Sequence, residues 1–360
     1  MTYQERVHKL QQQLCKNCCD AILVDDHTDL FYLTGLDLSA GTLWVHRDGV
    51  VLFVDSRYFE LCTKKSPFPV RLLDSNGLSG MLKQVPPIHR LAFDSVATSY
   101  SAYEHMKAVL ITIELVPIES PLKQQRAIKD AEEIHLLADA GALGSLGFDF
   151  VCSLLREGIS EKECAVELEI FWKRQGSKSL AFDPIIAFGA NSSIPHYRAG
   201  NGLLKQGDVV LIDIGVNFKH YHSDMTRTLF YGQPDPRLAV IHPIVVGAQL
   251  AALKLCRPGT LVKNLDAAAR GLIASHGYGD QFVHSLGHGV GLDIHEFPSL
   301  KNSVPFSDIP LAAGMVITIE PGIYLPGVGG VRIEDTIVIT EEGFDNLTNR
   351  KRDPFLKLTE

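Results

Sequence analysis

The stretch VVLIDIGVNFKHYHSDMTRTLFY (209–231) decides how the rest of the chain is read. Its first run, VVLIDIGV (209–216), is apolar enough for a strand buried on both faces, yet one acid, Asp213, interrupts it. A second run, MTRTLFY (225–231), has the β-branched and aromatic content of a partner strand, with Asp224 at its entry. A lone ionised carboxylate in such an interior costs several kcal/mol unless it is paired or bound to a cation. If the two runs pair as a hairpin, both carboxylates converge at one level of a sheet.

The same anomaly recurs further along. Glu320 closes MVITIE (315–320), just before Pro321-Gly322. Glu334 lies in VRIEDTIVIT (331–340), which reads as one strand whose alternation places Arg332, Glu334 and Thr336 on one face. Asp335 then faces the other way, as a structural acid. Between these strands lies HSLGHGVGLDIHEFP (284–298), supplying His284, His288 and His295. His284 and His288 have the spacing of a helical ligand pair, but Gly287, Gly289 and Gly291 favour a loop or irregular strand. His220 and His222, beside Asp224, are taken as lining a cleft. Any one buried acid is more often salt-bridged or capping than ligating; the recurrence is what counts. Four carboxylates with one or two imidazoles suit a pair of divalent cations, which would hold a water as hydroxide near neutral pH. Oxygen-rich, thiolate-free donors point to Mn²⁺, with Co²⁺ or Zn²⁺ as alternatives. No Ser-His-Asp or Cys-His arrangement offers a covalent route instead.

The remaining composition narrows the classes. At 360 residues, 46% hydrophobic and 21% charged, two globular domains are the expectation. The formal charge of -8, without any basic block, argues against nucleic acid as a partner. The opening MTYQERVHKLQQQL lacks a signal-peptide core, and no run of about 18 uninterrupted apolar residues suggests a membrane span. Seven scattered cysteines suit a reducing, cytoplasmic setting, and Cys15, Cys18 and Cys19 lack the second pair a zinc site would need.

Alternating helix and strand signals fill the N-terminal part: a helix over 3–17, then strands at AILV (21–24), LWVH and VVLFVD (43–54), RLAFD (90–94) and ELVPI (114–118). After Ser120-Pro121 the pattern changes. One long helix is expected over 127–155, a second opened by a Ser160/Glu163 capping box, and others near 243–256 and 261–276. The domain boundary is placed at residue 122.

The ordered set of Asp213 in LIDIG, Asp224 in SDMTRT, His288 in GHGVGL, Glu320 in ITIEPG and Glu334 in VRIED resembles the pita-bread (creatinase/aminopeptidase) metallopeptidases. Within them it is most similar to the Xaa-Pro branch, aminopeptidase P and prolidase. The resemblance implies an α+β fold: a pita-bread catalytic domain over 123–360, preceded by a smaller creatinase-type α/β domain over 1–122. FYLTGL and VDSRY match that smaller domain less specifically. It also implies that Asp213, Asp224, His288, Glu320 and Glu334 ligate two metal ions, with Asp213 bidentate, Asp224 and Glu334 bridging, and Glu320 doubling as proton shuttle. His196, in NSSIPHY, corresponds to a cleft histidine, His295 to the one stabilising the tetrahedral intermediate, and His284 to another lining the site. Arg332 corresponds to an arginine that steadies the substrate or the acidic cluster. Methionine aminopeptidases share the GHGxG and HExP style but have a glutamine ahead of the final glutamate, where this chain has Arg332-Ile333-Glu334-Asp335.

The implied activity is release of an N-terminal residue from peptides with proline at the second position, by a homodimer. An Xaa-Pro dipeptidase is the alternative, and a non-catalytic peptide-binding protein on the same fold is a third reading from another class. Prolidases of this kind often carry an arginine just after the HExP segment. Here Ser299 follows Pro298, which favours the aminopeptidase.

Overall fold

Helix α1 (Tyr3–Lys16) begins where Thr2 accepts the backbone N–H of Glu5 and the Glu5 carboxylate returns to the N–H of Thr2. It belongs to the first of two units into which the chain divides, Met1–Arg126 and Ala127 onward, in a computed structural model that describes residues 1–355. The first unit continues through β1 (Ala21–Val24), α2 (His27–Thr34), β2 (Thr42–His46), β3 (Gly49–Val54), α3 (Ser56–Lys65), β4 (Val70–Leu72), α4 (Gly77–Leu82), β5 (Arg90–Asp94), α5 (Tyr100–Val109) and β6 (Glu114–Ile118). These strands form one mixed sheet in the order β4-β3-β2-β1-β5-β6. β1 runs antiparallel to β2 and parallel to β5, and Trp44, Phe53, Leu91 and Phe93 fill its core. Every strand expected in this part is present.

After α6 (Lys123–Ala127) comes α7 (Ala131–Leu154). The single helix expected from residue 127 is therefore broken. Ile128 leaves to bridge Met315, and Asp130 takes an extended conformation that caps α7 reciprocally with Glu133. Helix α8 (Glu161–Arg174) starts at Ser160 as expected, but its box is half formed: Glu163 N–H reaches Ser160, while the Glu163 carboxylate turns to Arg156.

Next come β7 (Ser179–Leu180), β8 (Ile185–Phe188), β9 (Val209–Ile214), β10 (Val216–Phe218), β11 (Tyr221–His222) and β12 (Met225–Phe230). β9 lies between β8 and β12, antiparallel to both, with Asp213 opposite Thr226. The hairpin pairing read from 209–231 is thus present. Helices α9 (Pro236–Leu253) and α10 (Val262–Ser275) follow. The start expected near 243 is about two turns too late. Asp235 caps α9 with Pro236 in its first turn, and Pro243 is carried inside the helix.

The last part holds β13 (His288–Gly289), β14 (Glu296–Ser299), β15 (Val316–Ile319), β16 (Gly322–Leu325), β17 (Gly329–Arg332), β18 (Asp335–Ile339) and β19 (Phe344–Asn346). The expected single strand VRIEDTIVIT is two: β17 pairs with β16, whereas β18 pairs with β15 and β19. The ladder breaks because Glu334 leaves it to donate its N–H to the Thr226 carbonyl at 3.0 Å.

Two apolar layers frame this seam. One packs Phe148, Val151, Leu168 and Trp172 of α7 and α8 on Ile186, Val210 and Ile212. The other packs Ile241, Val245, Leu265 and Ile273 of α9 and α10 on Ile317, Ile319, Val331 and Ile337. Helices α7 and α9 are long and apolar enough to cross a membrane by length and composition, but 50% and 44% of their most apolar windows are buried within the unit, as in core helices.

Candidate metal centre

The seam between the two layers is where the acids meet. Asp213 arrives on β9, Asp224 at the entry of β12, Glu320 just past β15 and Glu334 in the break between β17 and β18. Asp213 is 8% exposed, Asp224 4% and Glu334 1%. One ligand atom from each of Asp224, His288 and Glu334 lies within 4.8 Å of the others. His288 Nε2 is 3.5 Å from Asp224 Oδ2 and 3.5 Å from Glu320 Oε1, so Glu320 shares the cluster.

His288 is aimed by its own backbone. Its Nδ1 meets the Gly289 carbonyl at 3.1 Å, which fixes the proton there and leaves the Nε2 lone pair facing the acids. Its N–H reaches Thr318 Oγ1 at 3.0 Å. The expected irregular strand is the two-residue β13. A Cβ at Gly287 would strike the Thr318 carbonyl, and one at Gly289 would lie 2.5 Å from the Phe297 carbonyl oxygen, so only glycine allows the close approach.

Burial pushes His288 down to about 4, with His295 adding to it, so its imidazole is neutral at pH 7. The acids move the opposite way. Burial first, and then mutual repulsion, raises Asp224 and Glu334 well above the carboxylate range. Glu320 is pushed up to about 8 by burial, against the opposing pull of Arg332.

Arg332, 3% exposed, reaches this cluster with one arm of its guanidinium. Its Nη2 donates to Asp213 Oδ2 at 2.5 Å, its Nε to Thr226 Oγ1 at 3.2 Å and its Nη1 to the Tyr324 hydroxyl at 2.7 Å. Of the two roles implied for it, the geometry gives steadying the acids. One oxygen of the Asp213 carboxylate thus accepts from Arg332. The other, Asp213 Oδ1, is buried without a hydrogen-bond partner. A buried orphan oxygen, three carboxyls displaced upward and one neutral imidazole together fit divalent cations with hard oxygen ligands.

The remaining predicted residues surround the cluster. The ring of His295 lies 4.3 Å from that of His288, edge-on. Partial burial, then the charge of His196, lowers its pKa. His284 is pushed down to about 4 by burial and by Arg332; its Nδ1 meets the Ser285 carbonyl at 2.8 Å and its Nε2 the Tyr324 hydroxyl at 2.9 Å. His196 is exposed on the turn that follows the 3₁₀ segment Gly189–Ser193, and its charge reaches both His284 and His295. His222 stays outside, bonded to the Gly291 carbonyl and Asn217, while His220 meets Lys178. Asp335 faces away from the cluster to Arg227, Arg352 and Gln249.

Sequence reasoning missed three supporting groups. Thr226 Oγ1 donates to Glu334 Oε2 at 2.6 Å, Thr318 Oγ1 reaches Glu320 Oε1 at 3.3 Å, and Tyr324 links Arg332 to His284. Thr226 and Thr318 were legible only as strand residues opposite or near acids, and Tyr324 carries no anomaly in GIYL.

A buried cluster of this make-up defines a metal-dependent protein. Residues 135–341 match Metallopeptidase family M24 and residues 6–128 match the Creatinase/Prolidase N-terminal domain. The chain belongs to metallopeptidase family M24, with the pita-bread fold, and is a metallopeptidase. Among its relatives is an Xaa-Pro dipeptidase of Pyrococcus horikoshii, 36% identical over 97% of this chain and 98% of that one. The solved structure of an Xaa-Pro dipeptidase from Bacillus anthracis superposes with a TM-score of 0.94 at 35% identity, covering 99% of this chain and 100% of the other. That of an X-Pro aminopeptidase from Thermotoga maritima gives 0.87 at 32% identity, covering 96% and 99%.

Proposed function

We propose that this chain hydrolyses Xaa-Pro dipeptides, as a metal-dependent prolidase. The observation that carries this is the end-to-end similarity to Xaa-Pro dipeptidases on top of the buried Asp224–His288–Glu334 cluster. It reverses the preference for an aminopeptidase drawn from Ser299. That reading keeps one support of its own, the X-Pro aminopeptidase among the structural neighbours.

Asp213, Asp224, His288, Glu320 and Glu334 would hold the divalent ions, Mn²⁺ in this proposal. Bound there, the ions would supply Lewis acidity and an activated water at neutral pH. The protein's own groups do the rest. Glu320, ionised while it holds a cation, would take the proton of the activated water and pass it to the proline nitrogen as the bond breaks. His295 and His196 donate to the carbonyl oxygen as charge develops on it. His284, kept neutral and fixed through Tyr324, lines the pocket. An X-Pro bond has no N–H and a fixed φ, so recognition rests on shape and on the carboxylate beyond the proline.

The proposal extends to a cytoplasmic homodimer, for which seven free thiols support a reducing compartment. Turnover of an Xaa-Pro dipeptide and of the matching Xaa-Pro-Yaa tripeptide, with Mn²⁺ supplied, tests the central choice. At least tenfold higher kcat/KM for the dipeptide is expected; preference for the tripeptide would restore the aminopeptidase.

A further inference from the structure

Glu161 is a fully buried acid that the mechanism above does not use, at 0% exposure. It sits in the first turn of α8, far in sequence from the acid cluster, and its carboxylate is fully occupied. Oε1 accepts the N–H of Phe188 at 2.8 Å and Asn191 Nδ2 at 2.8 Å. Oε2 accepts the Tyr197 hydroxyl at 2.8 Å and the N–H of Gly200 at 3.2 Å. All four donors come from one loop, residues 188–200, wound around the carboxylate. The backbone of the helix start adds to it: Glu161 N–H reaches the Gly202 carbonyl and Lys162 N–H the Gly200 carbonyl. The loop closes so tightly that a Cβ at Gly202 would lie 2.9 Å from the Glu161 carboxyl carbon.

This loop carries His196, next to Tyr197. The His196 side chain is exposed, so no packing of its own fixes where it points; its aim is inherited from the backbone on either side. The loop is tied at other points to β17, which leads into Glu334. The Gly330 N–H donates to Ser192 Oγ at 2.8 Å, and Arg332 Nη1 reaches the Pro195 carbonyl at 3.4 Å. Glu161 holds the opposite side of the loop. Charge-assisted bonds to a buried carboxylate are the strong kind, and four converging on one group resist displacement together.

We propose that Glu161 is a positioning residue, which fixes the 188–200 loop and through it presents His196 to the reacting carbonyl. The inference rests on the prolidase reading, because His196 acts on substrate only there. Glu161→Gln keeps the shape but replaces one acceptor oxygen by an amide that faces donors, so the loop must loosen. The gentler Tyr197→Phe removes a single donor.

The test is a double-mutant cycle with His196→Ala, reading kcat, KM and bound Mn²⁺ on an Xaa-Pro dipeptide. Glu161→Gln alone is expected to lower kcat at least tenfold, with KM changed less than threefold and metal content kept. In the His196→Ala background the same change is expected to cost less than twofold. Equal losses in both backgrounds, or an unchanged kcat in the single variant, would overturn the proposal. If Glu161→Gln does not fold, Tyr197→Phe replaces it in the cycle. A three- to tenfold loss is then expected alone, and equal losses in both backgrounds or an unchanged kcat would again overturn the proposal. Wild-type protein that binds Mn²⁺ yet cleaves no Xaa-Pro substrate would instead overturn the functional reading beneath it.

Discussion

Removing the metal should make the fold sensitive to pH in a direction set by Glu320, Asp224 and Glu334. Glu320 has an ordinary value of 4.5 and titrates at about 8 in this site because it is buried. Below about pH 4.5 the folded and unfolded chains both hold that proton, and the group contributes nothing. As pH rises from 4.5 to 8 the unfolded chain releases the proton and the fold keeps it, so stability falls with pH. Above 8 the whole cost is present, on the order of 4–5 kcal/mol from Glu320. Asp224 and Glu334 are raised too, so they pull in the same direction.

Divalent cations reverse this, since they favour the ionised carboxylates and expel the protons. Urea unfolding of chelated and Mn²⁺-loaded protein, at about pH 5.5 and about pH 8, reads the difference directly. The chelated form should lose several kcal/mol between the two while the loaded form changes little. Calorimetric titration in buffers of different ionisation enthalpy should show at least about one proton released per chain at pH 7. A chelated protein as stable at pH 8 as at 5.5, with no proton release on loading, would refute the burial and repulsion assigned to these carboxyls.

Three further outcomes follow from the geometry. Asp224→Asn should weaken Mn²⁺ binding more than ~100-fold, beyond the cost of an outer-shell change, as read by equilibrium dialysis. His295→Ala should keep its metal and lose roughly 100-fold in kcat, because the ring acts only on developing charge; a normal rate would remove it from the mechanism. Lys129→Met breaks the ion pair between Lys129 Nζ and Glu296 Oε1, 2.5 Å long with side chains 1% and 8% exposed. Urea unfolding should record a loss of about 3–5 kcal/mol, and a loss under ~1 kcal/mol would mean that Glu296 finds full compensation elsewhere.

Much of the site was legible because acids inside apolar strands violate a strong physical rule. Asp213 in VVLIDIG and Glu334 in VRIED stand out in sequence for the reason that makes them functional candidates in space: neither is tolerable there alone. What failed were places where two local rules competed. The apolar pattern from 127 hid Asp130, whose capping of α7 overrides continuity. The start expected near 243 overlooked Asp235 and Pro236, which had already begun α9 with Pro243 carried in its interior. Alternation in VRIEDTIVIT suggested one strand, but Glu334 gives up its ladder partner to reach Thr226 across the seam.

Glu161 and Tyr324, which support other groups, carry no anomaly in the chain. Glu161 was overshadowed by the Ser160/Glu163 pattern beside it, and its four donors are spread over residues 188–200. Tyr324 looks like any strand tyrosine until the fold sets Arg332 on one side of its hydroxyl and His284 on the other. Such roles exist only once distant segments meet.

Elemental analysis of never-chelated protein, followed by titration with Mn²⁺, most directly probes whether cations neutralise the acids at the seam. Two divalent ions per chain are expected, with both absent from Asp213→Ala and Glu334→Ala. Protein that carries no transition ion and takes up none, while remaining folded, would contradict the assignment of Asp213, Asp224, His288, Glu320 and Glu334 as a metal centre.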